Sequence, residues 1–290
     1  MIDNLIEMDN DVETITLEQA HRAVMSMEAF SITNAVGTLK TLLPTYVTAV
    51  KDVKSNLLTM FKGLGARKEV GSSNITKLVR STEWRNFNMI QAQCPDGFVP
   101  KRYFSEYAKT LAELIKQVVS ETVPKFGEFE AYVGSFVGDK GTKMSIRNQI
   151  LSFDDLRKFS DDSASSIARY FDPCRSATMM TFSDLYKGED DVIEAYRLVK
   201  ANNKLLDDID VSKLVKRADN IAEQLDSLHG DLQGRDGEDV KVSVEALKNL
   251  STAVFNAALA LEAISMVYFS QMTLNGKTDQ NMDHLEVVSK

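Results

Sequence analysis

Three histidines are the residues of this chain best suited to metal binding or acid–base catalysis. His21, His229 and His284 lie far apart, and none has another histidine or a cysteine within four residues. A transition-metal site needs such neighbours, because several nitrogen, sulfur or oxygen ligands must surround one ion. Glu18 and His21 have the Glu-x-x-His spacing of carboxylate di-metal bundles, but those bundles require a second such pair. We therefore predict no metal site.

Motifs for nucleophilic catalysis and for nucleotide binding are also missing. The Gly-Ser-Phe-Val-Gly at 134–138 places its serine directly after the first glycine, whereas a nucleophile elbow needs it one position later. The Gly-Leu-Gly at 63–65 begins like a phosphate-binding loop, but Lys68 stands where the third glycine belongs. Neither Cys94 nor Cys174 belongs to a Cys-x-x-Cys pair. We predict no catalytic and no cofactor-binding residues; an enzyme with a dispersed site is an alternative.

Acidic residues outnumber basic ones, with 42 Asp and Glu against 34 Lys and Arg and a net charge of −8. Such a charge does not attract nucleic-acid phosphates or anionic lipids, so nucleic-acid binding is predicted to be weak or absent. Local basic clusters are short, as in Arg67-Lys68 and around Lys213. Adjacent acids such as Asp190-Asp191 point about 100° apart on a helix, so we interpret them as helix starts and solvated surfaces.

The most apolar stretch, Ala253 to Phe269, is interrupted only by Asn256, Glu262 and Ser265. It is slightly shorter than a bilayer requires, and a carboxylate inside a membrane is costly. We predict a core helix, with Leu259, Leu261, Ile264, Val267 and Tyr268 buried, and no stable membrane span. The alternative is a segment that meets a membrane after release from an assembly.

Apolar residues recur at three-and-four spacing through most of the chain, which contains only five prolines and fourteen glycines. This period predicts helices, and Pro44, Pro124, Gly230 and Asn275-Gly276 are typical of helix ends. The predicted helices are 16–43, 45–61, 104–119, 126–137, 152–171, 189–202, 211–228 and 242–272, the last of them the longest.

The predicted fold is a mainly α, multi-helix, bundle-like domain. Around residues 79–99 the pattern alternates and ends in Cys-Pro-Asp-Gly, which indicates an irregular segment or a short hairpin. Loops rich in glycine and charge divide the chain into an N-terminal helical hairpin at 1–62, a central region at 75–232 and a long C-terminal helix with a tail at 240–290. We expect these segments to form one cooperative domain.

The sequence resembles internal head proteins of large tailed bacteriophages over about its first 140 residues. The resemblance lies in the helix start Leu-Glu-Gln-Ala-His-Arg-Ala-Val-Met-Ser-Met-Glu-Ala at 17–29 and in Val-Gly-Ser-Phe at 133–136. It implies processing by a head-maturation protease, which cuts after a glutamate preceded two positions earlier by a small or aliphatic residue. Glu28 and Glu245 match that form, as does Glu83.

These observations predict a non-enzymatic structural component of a tailed-phage virion, packed inside or against the capsid and able to leave with the genome. Its partners would be other virion proteins, and it could form an oligomer. The N-terminus is acidic and lacks a basic segment followed by an apolar run, so we expect no signal peptide. The expected location is the virion interior or the host cytoplasm. The alternative is a soluble helical binding module that inhibits or bridges a protein partner.

Overall fold

The computed structural model of the chain describes residues 16–26, 32–64, 75–95, 103–137, 144–146, 153–170, 177–233, 240–242 and 244–288. The helices are α1 (Leu17–Met25), α2 (Ile32–Leu64), α3 (Ile75–Ser81), α4 (Tyr103–Gln117), α5 (Val123–Val137), α6 (Asp154–Ala168), α7 (Phe182–Leu185), α8 (Glu189–Asp207), α9 (Val211–Gln233) and α10 (Val244–Val288). A 3-10 helix covers Trp84–Met89, and a π-helical segment covers Val118–Thr122. The strands are β1 (Gln91–Pro95), β2 (Met144–Ile146), β3 (Ala177–Thr181) and β4 (Val240–Val242).

The prediction of a mainly α fold is confirmed. The segment near residues 79–99 contains a strand, β1, but its partner is not a neighbour in sequence. β1 pairs antiparallel with β3, with Gln91 opposite Thr181 and Pro95 opposite Ala177. A local hairpin was therefore the wrong pairing, because an alternating pattern identifies a strand and contains no information about a distant partner. A second short ladder joins β2 and β4 in parallel.

The chain forms two compact units, each assembled from three separate stretches of sequence. Unit 1 contains Met1–Asn56, Val123–Lys158 and Val211–Leu261. Unit 2 contains Leu57–Thr122, Phe159–Asp210 and Glu262–Lys290. These units do not follow the three segments that the loops suggested. Loop composition marks where the chain is exposed, whereas a unit is defined by which helices pack together.

Two prolines that were predicted to end helices lie within longer helical stretches. Pro44 is inside α2, and the positions around it carry buried side chains such as Leu42, Leu43 and Tyr46. Packing of this kind offsets the cost of a missing hydrogen bond. Before Pro124 the helix widens into the π segment, where the Thr122 hydroxyl donates to the Gln117 carbonyl at 3.3 Å. The π turn thus joins α4 to α5 without a break.

Glycine also failed to end two predicted helices. α9 continues past Gly230 to Gln233, and Leu232 in its last turn is fully buried. α10 continues through Gly276 to Val288, where Met282 and Leu285 are buried. Burial of these later side chains outweighs the cost of roughly 1 kcal/mol for a glycine inside a helix. α10 is the longest of the described helices, as the sequence predicted.

In unit 1, α5 packs closely on α9 because glycine leaves space for a long side chain. A Cβ added at Gly127 would overlap the Arg217 guanidinium, so alanine does not fit there unless Arg217 moves. Arg217 uses this space to donate from Nη1 to the Val123 carbonyl at 2.9 Å. Its Nε also lies 3.8 Å from a Glu130 carboxylate oxygen. Arg217 is thus part of the helix packing.

Candidate functional site

The candidate processing positions lie in different surroundings. Glu28 lies outside the described residues. Glu245 is exposed, but it is the second residue of α10. Glu83 is exposed and extended, with φ −62° and ψ 133°, between α3 and the 3-10 helix. Since proteases prefer exposed, non-helical segments, the geometry at Glu83 suits cleavage better than that at Glu245.

The structure does not gather the histidines into a site. His21 is half-buried in unit 1, His229 contacts the Gln233 amide at 2.9 Å within α9, and His284 is exposed near the end of α10. Among the residues that the structure describes, no group of three or more His, Cys, Asp or Glu side chains could hold a metal ion.

One contact between a serine and a histidine was not predicted, because the two residues are 230 positions apart. Ser251 Oγ lies 3.2 Å from His21 Nδ1. A catalytic serine must be reached by substrate and needs a base that a third group orients. Ser251 is fully buried, however, and the His21 ring is stacked flat on Phe255, with centroids 4.5 Å apart. The pair therefore attaches α1 to α10.

Four amide side chains form a cluster in the core of unit 2, which we call the amide cluster: Asn202 and Asn203 of α8, and Gln271 and Asn275 of α10. Asn202 Nδ2 donates to the Ala108 carbonyl at 2.7 Å and to Gln271 Oε1 at 3.0 Å. Gln271 Nε2 donates to Asn275 Oδ1 at 2.9 Å, and Asn275 Nδ2 donates to Asn203 Oδ1 at 2.9 Å. The cluster connects α4, α8 and α10.

The amide cluster fixes how α8 meets α10. All four side chains are buried, with Gln271 fully inaccessible. A buried amide without a partner is costly, so a shift of one helix along the other would be penalised at each of them. Sequence reasoning missed the cluster, although Asn202 and Asn203 stand between the buried Val199 and Leu206 of α8. Polar residues on an apolar face were the available signal.

Asp191 corrects the interpretation of the acidic pairs as solvated surface. Its neighbour Asp190 is exposed, but the Asp191 side chain is buried at the start of α8. The Ser105 hydroxyl donates to Asp191 Oδ1 at 2.8 Å, and the Lys187 amide donates to Oδ2 at 3.0 Å. A carboxylate near a helix N-terminus is stabilised by the helix dipole. Adjacency in sequence does not reveal which acid faces inward.

The exposed surface of α10 in unit 2 carries two apolar side chains, Met266 and Phe269, and one acidic side chain, Glu262. We call these three residues the α10 stripe. Met266 is 37% exposed and Phe269 51% exposed, on a helix whose other large apolar side chains between 260 and 275 are buried. The spacing of four and then three residues places the stripe on one helix face. Partial burial raises the pKa of the Glu262 carboxyl above its ordinary value.

Four of the five predicted core residues of α10 are confirmed as buried: Leu261, Ile264, Val267 and Tyr268. The fifth, Leu259, is only half-buried. By length and composition α10 could cross a membrane, but most of its apolar window is buried against the rest of the chain, as in the core helix of many proteins.

Comparisons with protein-family models, with curated proteins and with solved structures gave no match.

Proposed function

We propose that the chain is a non-enzymatic structural component of a tailed-phage virion that packs inside or against the capsid and could leave with the genome. The α10 stripe carries this proposal, because it leaves two apolar side chains exposed that a neighbouring subunit would cover. Its occupant would be a helix of another virion protein. The resemblance of residues 17–29 and 133–136 to internal head proteins supports the phage context.

The chemistry of the α10 stripe fits a helical partner. Residues spaced by three and four along one helix face are the pattern through which two helices pack side by side. Glu262 is exposed one turn before Met266, so a lysine or arginine on the partner would form an ion pair with its carboxylate. The partner expected is thus an amphipathic helix with one basic residue.

The interior supports a scaffolding role in a second way. Several buried polar groups are used in contacts between helices of the chain. The amide cluster, Asp191 and the contact between Ser251 and His21 all connect one helix with another. Such contacts give a helical subunit one defined packing, which repeated assembly requires.

Aspartate at the α10 stripe is expected to remove the chain from virions. Met266→Asp and Phe269→Asp each place a charge that would be buried in the interface without a partner. Mass spectrometry of purified particles would measure the copy number of each variant, and circular dichroism would verify its folding. Met89→Asp is the matched control, because Met89 is 75% exposed on the 3-10 helix of the same unit.

One outcome would contradict the virion role, and a second would contradict the assignment of the interface to the α10 stripe. In the first, purified particles lack the unmodified chain, and the chain is instead recovered with a host protein from infected cells. That result would favour the binding module that inhibits or bridges a partner. In the second, Phe269→Asp enters particles at the copy number of the unmodified chain. The virion role would then stand without the α10 stripe.

Binding of the isolated protein to DNA is expected to be weak and to vanish near physiological salt. The net charge of −8 opposes association. Lys213 and Lys216 are exposed on α9, but Arg217 is engaged with Val123 and Glu130, and Arg67-Lys68 lies outside the described residues. A basic cluster of this size releases few counterions when it binds a phosphate backbone. An anisotropy titration with duplex and single-stranded DNA would check this; tight, salt-resistant binding would establish a direct nucleic-acid role.

A further inference from the structure

Helix α1 is a short helix that docks on the rest of unit 1. It has nine residues, begins with a capping box between Thr16 and Gln19, and buries Ala20 and Val24 completely. The His21 ring lies on Phe255 of α10, as described above. An isolated helix of this length is marginally stable in water, so α1 is ordered because it docks.

His21 is placed so that a proton on its ring is unfavourable. Burial lowers the pKa of His21 below its ordinary 6.5, and the positive charge of Arg157 on α6 lowers it further. On α10, the residues that touch the ring are Ser251 and Phe255, which are not charged. Among the described residues of α10, these two ring contacts therefore supply no carboxylate that would stabilise an imidazolium.

The other ionisable groups near the docking surface do not change this balance. On α1 itself, Glu18 and Arg22 form an ion pair with each other on the exposed side. Tyr46 of α2 lies beside Ser251, and burial raises its pKa to about 12, so it stays neutral across the physiological range. His21 is thus the group whose charge changes near neutral pH.

We propose that the contact between α1 and α10 is a pH-sensitive latch, in which neutral His21 docks α1 on Ser251 and Phe255 and protonated His21 releases it. One effect opposes release, because an imidazolium above a phenyl ring gains a favourable cation–π interaction. Loss of water and repulsion by Arg157 act in the other direction. Together, the loss of water and the repulsion by Arg157 outweigh the cation–π interaction.

The direction of the pH dependence follows from the lowered pKa of His21. Released α1 takes up a proton on His21 near pH 6.5, whereas docked α1 does so only at lower pH. Docking is therefore fully favourable above 6.5 and weakens as the pH falls through the interval below it. Each unit by which docking lowers the pKa shifts the equilibrium toward release by about tenfold.

Hydrogen exchange of the backbone amides in residues 16–26, measured by mass spectrometry at about pH 7.5 and about pH 5 and corrected for the intrinsic rate, tests the latch. We expect protection of this segment to fall at low pH while α9 stays protected. His21→Phe keeps an aromatic ring on Phe255 and cannot take up a proton, so its protection should be independent of pH. Arg157→Gln should move release to lower pH.

His284→Phe is the matched control, because His284 is exposed on α10 in unit 2 and should leave the pH dependence of α1 unchanged. If protection of residues 16–26 is equal at both pH values, or rises at low pH, the latch is refuted. The same holds if His21→Phe retains the pH dependence. If α1 of the His21→Phe variant stays undocked at every pH, the Arg157→Gln variant decides. A midpoint pH of release equal to that of the unmodified chain would then refute the latch.

Discussion

Replacing Gln271 by leucine is expected to lower the free energy of unfolding by about 2–4 kcal/mol, although the core gains an apolar side chain. The Gln271 amide donates to Asn275 Oδ1 and Asn203 Oδ1, and its carbonyl accepts from Asn202 Nδ2. Leucine removes all of these bonds. The remaining amides stay buried without water to replace the lost partner, which costs more than the lost bonds alone.

Gln280→Leu is the matched control for that variant, since Gln280 is exposed on the same helix. Urea denaturation followed by circular dichroism would compare the two. If both variants unfold at the same urea concentration, the amide cluster does not contribute to stability. A further variant with leucine at both Gln271 and Asn275 would show whether the two amides act as one unit, because their effects should then not add.

Leu261→Ala is expected to cost about 2–5 kcal/mol of stability, because it removes a buried side chain from the centre of α10 and leaves a cavity. Leu261 is only 3% exposed. Thermal denaturation would register the loss as a lowered melting temperature.

Leu259→Ala serves as the comparison for Leu261→Ala, since Leu259 belongs to the same helix but is half-buried. Its loss should be clearly smaller, because less apolar surface returns to water. Equal losses for the two variants would mean that the face of α10 bearing Leu259 is covered as completely as the face bearing Leu261. That result would contradict the burial pattern described above.

Helical content and the existence of most helices could be predicted from apolar spacing, as for α9, which begins at Val211 as expected. Helix ends were harder to predict. Pro44, Gly230 and Gly276 are unfavourable within a helix when only local effects act, but the packing of neighbouring side chains outweighs that cost. Packing depends on residues distant in sequence, and a local pattern does not contain them.

The candidate site was less predictable than the fold for the same reason. The contact between His21 and Ser251 and the amide cluster both join residues from distant parts of the chain. Their residue types were visible in the sequence, but not their partners. The apolar character of Met266 and Phe269 was also visible, and it predicted burial. Their exposure could not be predicted, because it depends on which faces of α10 other helices cover.

The interleaved composition of the two units has a consequence for synthesis on the ribosome. Unit 1 needs residues up to Leu261, and unit 2 needs Glu262–Lys290. A nascent chain that stops before Val211 therefore has Lys54 but not Asp219, with which it pairs in the finished protein. Domains normally fold in order as they emerge from the ribosome. Here the early helices are synthesised before the helices that cover their apolar faces. Neither unit can therefore be completed before α10 has been synthesised.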